Sequence, residues 1–155
     1  MKVRDPELLL ASWLETYDFN QHEVIRGHMA ARSGTSQVRT LSAALTKHHI
    51  EHAATGLAAA WLYTRFTAFR LVTIFLREPI ASGDMSEMGV TEQETGANTW
   101  LVLPSDESVF WDTTVLNGIP TVHPIQAYLD LKDQPERAAD AAEELQRIVL
   151  GTERK

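Results

Sequence analysis

Residues His48-His49-Ile50-Glu51-His52 carry the spacing H-x-x-E-H, in which two histidines on one helical face bind zinc and a glutamate activates water. That chemistry needs an uninterrupted helix through His52. The residue pattern instead leaves a helix and enters a strand near Ile50, which turns His48 and His52 in different directions. At a helix C-terminus the ordinary role of His48 and His49 is to complement the partial negative charge there. Thr55-Gly56 has the form of a phosphate-binding turn at a helix N-terminus. One glycine serves equally to bring a helix close to a sheet, and Ala58, Ala59 and Ala60 point the same way. Arg65 and Arg70 can contact phosphate or an acidic partner, or pair with some of the 21 acids.

Asp106-Glu107 offers two adjacent carboxylates, with Asp112 further on. Adjacent residues of a strand face opposite ways, so this pair cannot clamp one ion if extended, and a solvated loop is the simpler reading. His123 precedes Pro124 at a helix start. With Gln126 it can form a ligand or partner contact, or simply cap the helix. Phe110 and Trp111 are neighbours in an extended segment, so one of them faces outward and marks a protein contact surface. The candidate contact set is therefore Arg65, Arg70, Phe110, Trp111, His123 and Gln126, with no catalytic residue and no metal ligand. No G-x-S-x-G elbow is present.

The chain has 155 residues, 44% hydrophobic and 23% charged, which suits one globular domain over 1–155. A net charge of −7 works against a broad nucleic-acid surface. The absence of cysteine removes disulfides, thiolate catalysis and cysteine-ligated zinc. The start lacks the apolar core and cleavage site of a signal peptide, and no apolar run approaches the ~20 residues of a membrane helix. A soluble cytoplasmic protein is expected.

Asp5-Pro6-Glu7 begins a helix with Leu9, Leu10, Trp13, Leu14 and Tyr17 on one stripe. A second helix is expected over 21–32, ending at Ser33-Gly34, and a third from a Ser36 cap to His48 with Val38, Leu41 and Leu45 inside. Then come a strand at 50–54, a small-residue helix at 55–63 and a strand at 69–77 buried on both faces, together a βαβ-like core. A short helix or loop follows at 80–89, with strands at 90–94 and 99–103. A hairpin pairs 109–115 with 119–122 around Asn117-Gly118. Two helices close the chain, at 124–131 and 135–149. The fold class is α/β (α+β), a small mixed sheet with N-terminal and C-terminal helices.

The block AATGLAAAWLYTRFTAFRLVTIFL, residues 53–76, resembles a nucleotidyltransferase core, in which a glycine turn begins a helix and Arg-x-Thr-x-Asp-hydrophobic-Asp follows. Here Arg65-Phe66-Thr67-Ala68 is followed by Phe69-Arg70-Leu71. An aromatic ring and an aliphatic chain occupy the carboxylate positions, so that strand can assemble no Mg²⁺ site. Residues 117–145, NGIPTVHPIQAYLDLKDQPERAADAAEEL, resemble the C-terminal domain of AbiEi-type antitoxins. VRDPELLLASWLETYDF, the 53–76 block and NTWLVLPSDESVFWD agree in order.

The resemblance implies a degenerate nucleotidyltransferase-like core and a non-enzymatic transcriptional regulator of a type IV toxin–antitoxin, phage-defence system. Such a regulator is linked functionally to a nucleotidyltransferase-like toxin and needs no cofactor. Members usually carry a winged-helix domain before this region. Residues 1–50 supply none, so operator binding by this chain alone is not expected, whereas a protein partner or self-association is. Two alternatives stand beside it: a nucleotidyltransferase-fold enzyme taking carboxylates from elsewhere, such as Asp84, Asp106 or Glu107, and a stand-alone protein-interaction module.

Overall fold

A computed structural model describes residues 17–65, 68–131 and 138–150. The helix expected from Asp5 and the chain beyond 150 lie outside these. Among the described residues seven strands form one sheet: β1 Glu23–Met29, β2 His52–Thr55, β3 Val72–Leu76, β4 Val90–Glu92, β5 Thr99–Leu103, β6 Thr114–Leu116 and β7 Ile119–Thr121. Their order is β4-β1-β5-β3-β2-β7-β6. β3 runs parallel to β5 and β2 to β7, and the other neighbours are antiparallel. The helices are α1 Gly34–Lys47, α2 Gly56–Thr64, α3 Ser82–Glu87, α4 Pro124–Asp130 and α5 Ala138–Leu150. The expected mixed α/β class is thus present, and no described helix is long and apolar enough to cross a membrane.

β3 lies centrally, and each of its residues, Val-Thr-Ile-Phe-Leu, is buried, as its β-branched and aromatic composition requires. Directly paired residues share a face, so Ala53, Thr55, Thr73, Phe75, Trp100 and Val102 project to one side. There Phe75 meets Phe19, His22 and Phe110. The opposite side carries His52, Ala54, Ile74 and Leu101, and α1 covers it with Val38, Leu41 and Leu45 fully buried. Asn117 and Gly118 both take positive φ, 52° and 78°, the backbone that a tight β6–β7 hairpin demands.

Several expectations are corrected. Residues 21–32 are not a helix: a single 3₁₀ turn at Phe19–Gln21 leads into β1. β1 finds antiparallel partners on both sides, β4 and β5, and this pairing outweighs a local pattern that also reads as helical. Ser33-Gly34 starts a helix rather than ending one, because the Ser33 side chain accepts the Ser36 N–H at 3.1 Å. Within 109–115 only Thr114 and Val115 are strand, the start of β6. The Asp106 carboxylate accepts the Ser108 N–H at 2.8 Å and tightens Glu107–Phe110 into a 3₁₀ turn. β2 and β3 are antiparallel neighbours, so α2 is not the crossover of a parallel βαβ unit. β3 begins at Val72, which leaves Phe69 and Leu71 in its approach rather than on the strand. With seven strands the sheet is also larger than expected.

Candidate functional site

Pro124 presets the first turn of α4, and the helix then places Gln126 and Asp130 four residues apart on one face. That face meets the end of β2 and the segment before β1. Asp130 is completely buried. Its Oδ1 accepts the Tyr17 hydroxyl, its Oδ2 accepts the Thr55 hydroxyl, and the Gln126 amide donates to both oxygens at 3.1 and 3.3 Å. Thr55 therefore makes no side-chain cap for α2, although it stands at the N-cap position. Tyr17 in turn lies 2.8 Å from His22 Nε2, and His22 Nδ1 accepts the Ser105 N–H at 3.0 Å.

These contacts give the network a direction. The Ser105 amide donates to Nδ1, so a neutral His22 carries its proton on Nε2 and donates it to the Tyr17 oxygen. Tyr17 then donates to Asp130, which receives only donors. Burial lowers the His22 pKa, against a smaller upward pull from Asp18. Burial, followed by the nearby Asp130 charge, raises that of Tyr17. Asp130 is pushed up to about 7 by burial, with the Thr55, Tyr17 and Gln126 hydrogen bonds pulling the other way. The arrangement is a buried carboxylate that burial drives toward protonation, while its neutral donors, Thr55, Tyr17 and Gln126, favour the ionised form.

The six candidate contact residues do not converge. Arg65 ends α2 in the left-handed conformation, its guanidinium 4.2 Å from the Trp61 ring centroid. Arg70 lines a cleft of about 360 Å³ at the N-terminus of α1, together with Arg32, Gln37 and Asn98. Phe110 is buried beneath the Arg77 guanidinium, which lies 4.4 Å from its ring, so it is a packing residue. Trp111 is 70% exposed. His123 caps α4, its Nδ1 accepting the Ile125 N–H at 3.1 Å. Gln126 is committed inward to Asp130.

The H-x-x-E-H segment is broken as its pattern implied: α1 ends at Lys47, His49 has a φ of 60°, and His52 lies buried on β2 against Ser42. His48 instead faces Asp84 at 3.9 Å and Glu87 at 3.6 Å. These three offer ligand atoms within 4.8 Å of one another, the only such trio among the described residues. Both carboxylates are solvated, and exposed acidic groups beside a histidine are common without any ion. Asp106 caps its 3₁₀ turn and Glu107 pairs with Arg77, so the alternative carboxylates Asp84, Asp106 and Glu107 serve separate local tasks.

Asp130 escaped the sequence reading because its partner Tyr17 lies 113 positions away. The available signal was the i, i+4 pair Gln126 and Asp130 on an otherwise apolar helix. No family model, curated protein or solved structure matches the chain.

Proposed function

We propose that the chain is a non-enzymatic, cytoplasmic regulator of the AbiEi antitoxin kind, acting through contact with a protein partner. The observation that carries this reading is the hairpin end of the sheet. Among the described residues Trp111 and Val115 are the exposed large hydrophobic residues, at 70% and 66%, and β6 is an edge strand. An exposed tryptophan is the side chain most enriched in binding hot spots, and an open strand edge offers backbone donors and acceptors beside it.

The burial of Phe69 and Leu71, together with the absence of any carboxylate in Val72–Leu76, further supports a scaffold role for the 53–76 block. The test is co-expression with a nucleotidyltransferase-like toxin encoded beside the gene. The parent chain restores growth, and Trp111→Ala combined with Val115→Glu abolishes the rescue at equal protein level. Undiminished rescue by the double variant removes the hairpin from the mechanism, and no rescue by the parent rejects the antitoxin reading.

A further inference from the structure

β6 has β7 on one side and, among the described residues, no strand on the other. Within the hairpin Val115 stands opposite Pro120, which has no N–H to donate. The pair is therefore of the non-hydrogen-bonded kind, and Thr114 and Leu116 make the ladder bonds to Thr121 and Ile119. The Val122 N–H, which donates to the Ala54 carbonyl at 3.0 Å, fixes the same alternation: residues 120 and 122 turn their backbone to β2, residues 119 and 121 to β6. The N–H and C=O of Val115 hence point out of the sheet's edge, and no described residue meets them.

An outward donor and acceptor on one residue form half of an antiparallel pair, and the residue that completes it with the same geometry is Val115 of a second copy. A two-fold axis beside Val115 sets the two N–H groups against the two carbonyls. Charge favours the pairing here and opposes it at the other edge. The chain carries −7, yet residues 113–119, Thr-Thr-Val-Leu-Asn-Gly-Ile, hold no charged side chain. The nearest charge, Asp112, falls beside the uncharged Asn117-Gly118 turn of the other copy. At the opposite edge of the sheet β4 carries Glu92 and is followed by Glu94, both exposed, the form of an edge guarded against pairing. β6 has neither charge nor proline. It starts three residues after Trp111, so antiparallel pairing also brings this exposed ring to the turn of the other copy.

We infer that β6 pairs with β6 of a second copy of this chain about a two-fold axis at Val115, extending the seven-stranded sheet across a homodimer. The pairing rests on the proposed reading of the hairpin as a contact surface and names its occupant, but it does not need the toxin. A three-residue edge with one tryptophan on each side is a small contact, of the size found in transient encounters and not in permanent dimers. The dimer population therefore depends on concentration, and Trp111 and Val115 of both copies lose their exposure together.

The experiment is sedimentation velocity and amide NMR on the full chain from about 10 µM to about 1 mM. The expected result is a dimer that grows with concentration, with shifts centred on the Thr114–Leu116 amides and the Trp111 indole. Val115→Glu sets two carboxylates across the axis, and Val115→Pro removes the outward N–H without costing a bond to β7. Each should weaken association about tenfold and leave the urea midpoint near that of the parent. An equal mixture of Val115→Glu and Val115→Lys should regain the association that each variant loses alone, because the two side chains then face each other with opposite charge. A parent still monomeric at about 1 mM, a dimer that Val115→Glu leaves unchanged, or a mixture no tighter than its components overturns the proposal. A monomeric parent that nevertheless neutralises the toxin shows that another protein occupies the edge, and the antitoxin reading stands. A dimer with these shifts that neutralises no toxin bears the pairing out and removes only the antitoxin reading.

Discussion

Gly34 and Phe69 meet at backbone distance: the Gly34 N–H donates to the Phe69 carbonyl at 3.1 Å, and a Cβ built on Gly34 would stand 2.3 Å from that oxygen. It would also lie 2.4 Å from Cδ2 of the Phe69 ring. This contact docks the approach to β3 against the start of α1 and shapes one wall of the cleft. Gly34→Ala must push backbone from backbone, a form of overpacking expected to cost about 3 kcal/mol in a urea titration. Gly83→Ala is the control, because nothing lies within 4 Å of its added Cβ on α3. It should stabilise by about 0.5 kcal/mol through the unfolded chain. Equal midpoints for the two variants would mean that the close approach is absent in solution.

Asp130 predicts a pH dependence opposite to that of most carboxylates. Its folded pKa of about 7 lies above the unfolded value, so the folded state holds the proton more tightly. Its contribution is fully present below about pH 4 and is lost as pH rises through 7. Burial lowers the pKa values of His22 and His52, so theirs is present above about pH 6.5 and lost in acid. The two slopes oppose each other in the parent chain. Asp130→Asn should remove the falling limb and leave stability rising between pH 5 and 7. Denaturant midpoints across that range check this, and superimposable profiles for parent and variant would exclude Asp130 as the titrating group.

What was legible in the sequence follows local physics. α1, α2, β5 and α4 match their expectations to within about three residues, because capping side chains, small-residue runs and prolines act within a few positions. The hairpin turn was marked by Asn117-Gly118 for the same reason. β1 was not legible: Val24 and Ile25 recur with His28 and Met29 at a spacing that suits a helix, and only its partners in β4 and β5 decide otherwise. The same limit hid the Asp130 network, whose members come from the chain before β1, the end of β2 and α4. Arg70 was recognisable as a phosphate-contact candidate. Arg32 lies beside it only because the approach to β3 docks against the start of α1, whose cap is Ser33 and not the expected Ser36.

The two buried histidines should hold opposite tautomers. His52 Nδ1 faces the Ile50 carbonyl at 2.9 Å and must donate to it, so its Nε2 accepts from the Ser42 hydroxyl at 2.7 Å. For His22 the Ser105 N–H forces the reverse assignment. Nitrogen-15 shifts at neutral pH should therefore report the Nδ1–H form for His52 and the Nε2–H form for His22. Ser42→Ala removes the donor to His52 Nε2 in a buried setting and is expected to cost about 1–3 kcal/mol. Matching tautomers would contradict the proton direction drawn from Ser105 to Asp130.

Phe110 and Trp111 are adjacent aromatics with opposite surroundings, and this separates structure from recognition. Phe110 packs its ring centroid 6.4 Å from that of Phe75 and lies under Arg77, so Phe110→Ala should cost about 3–5 kcal/mol. Trp111 is 70% exposed, so Trp111→Ala should change stability by no more than about 0.5 kcal/mol. A loss of toxin neutralisation in Trp111→Ala, with its urea midpoint unchanged, then reports partner contact, because no packed side chain has been removed. A midpoint that falls with activity would mean that Trp111 is covered within the folded chain, and the hairpin would lose its standing as a binding surface.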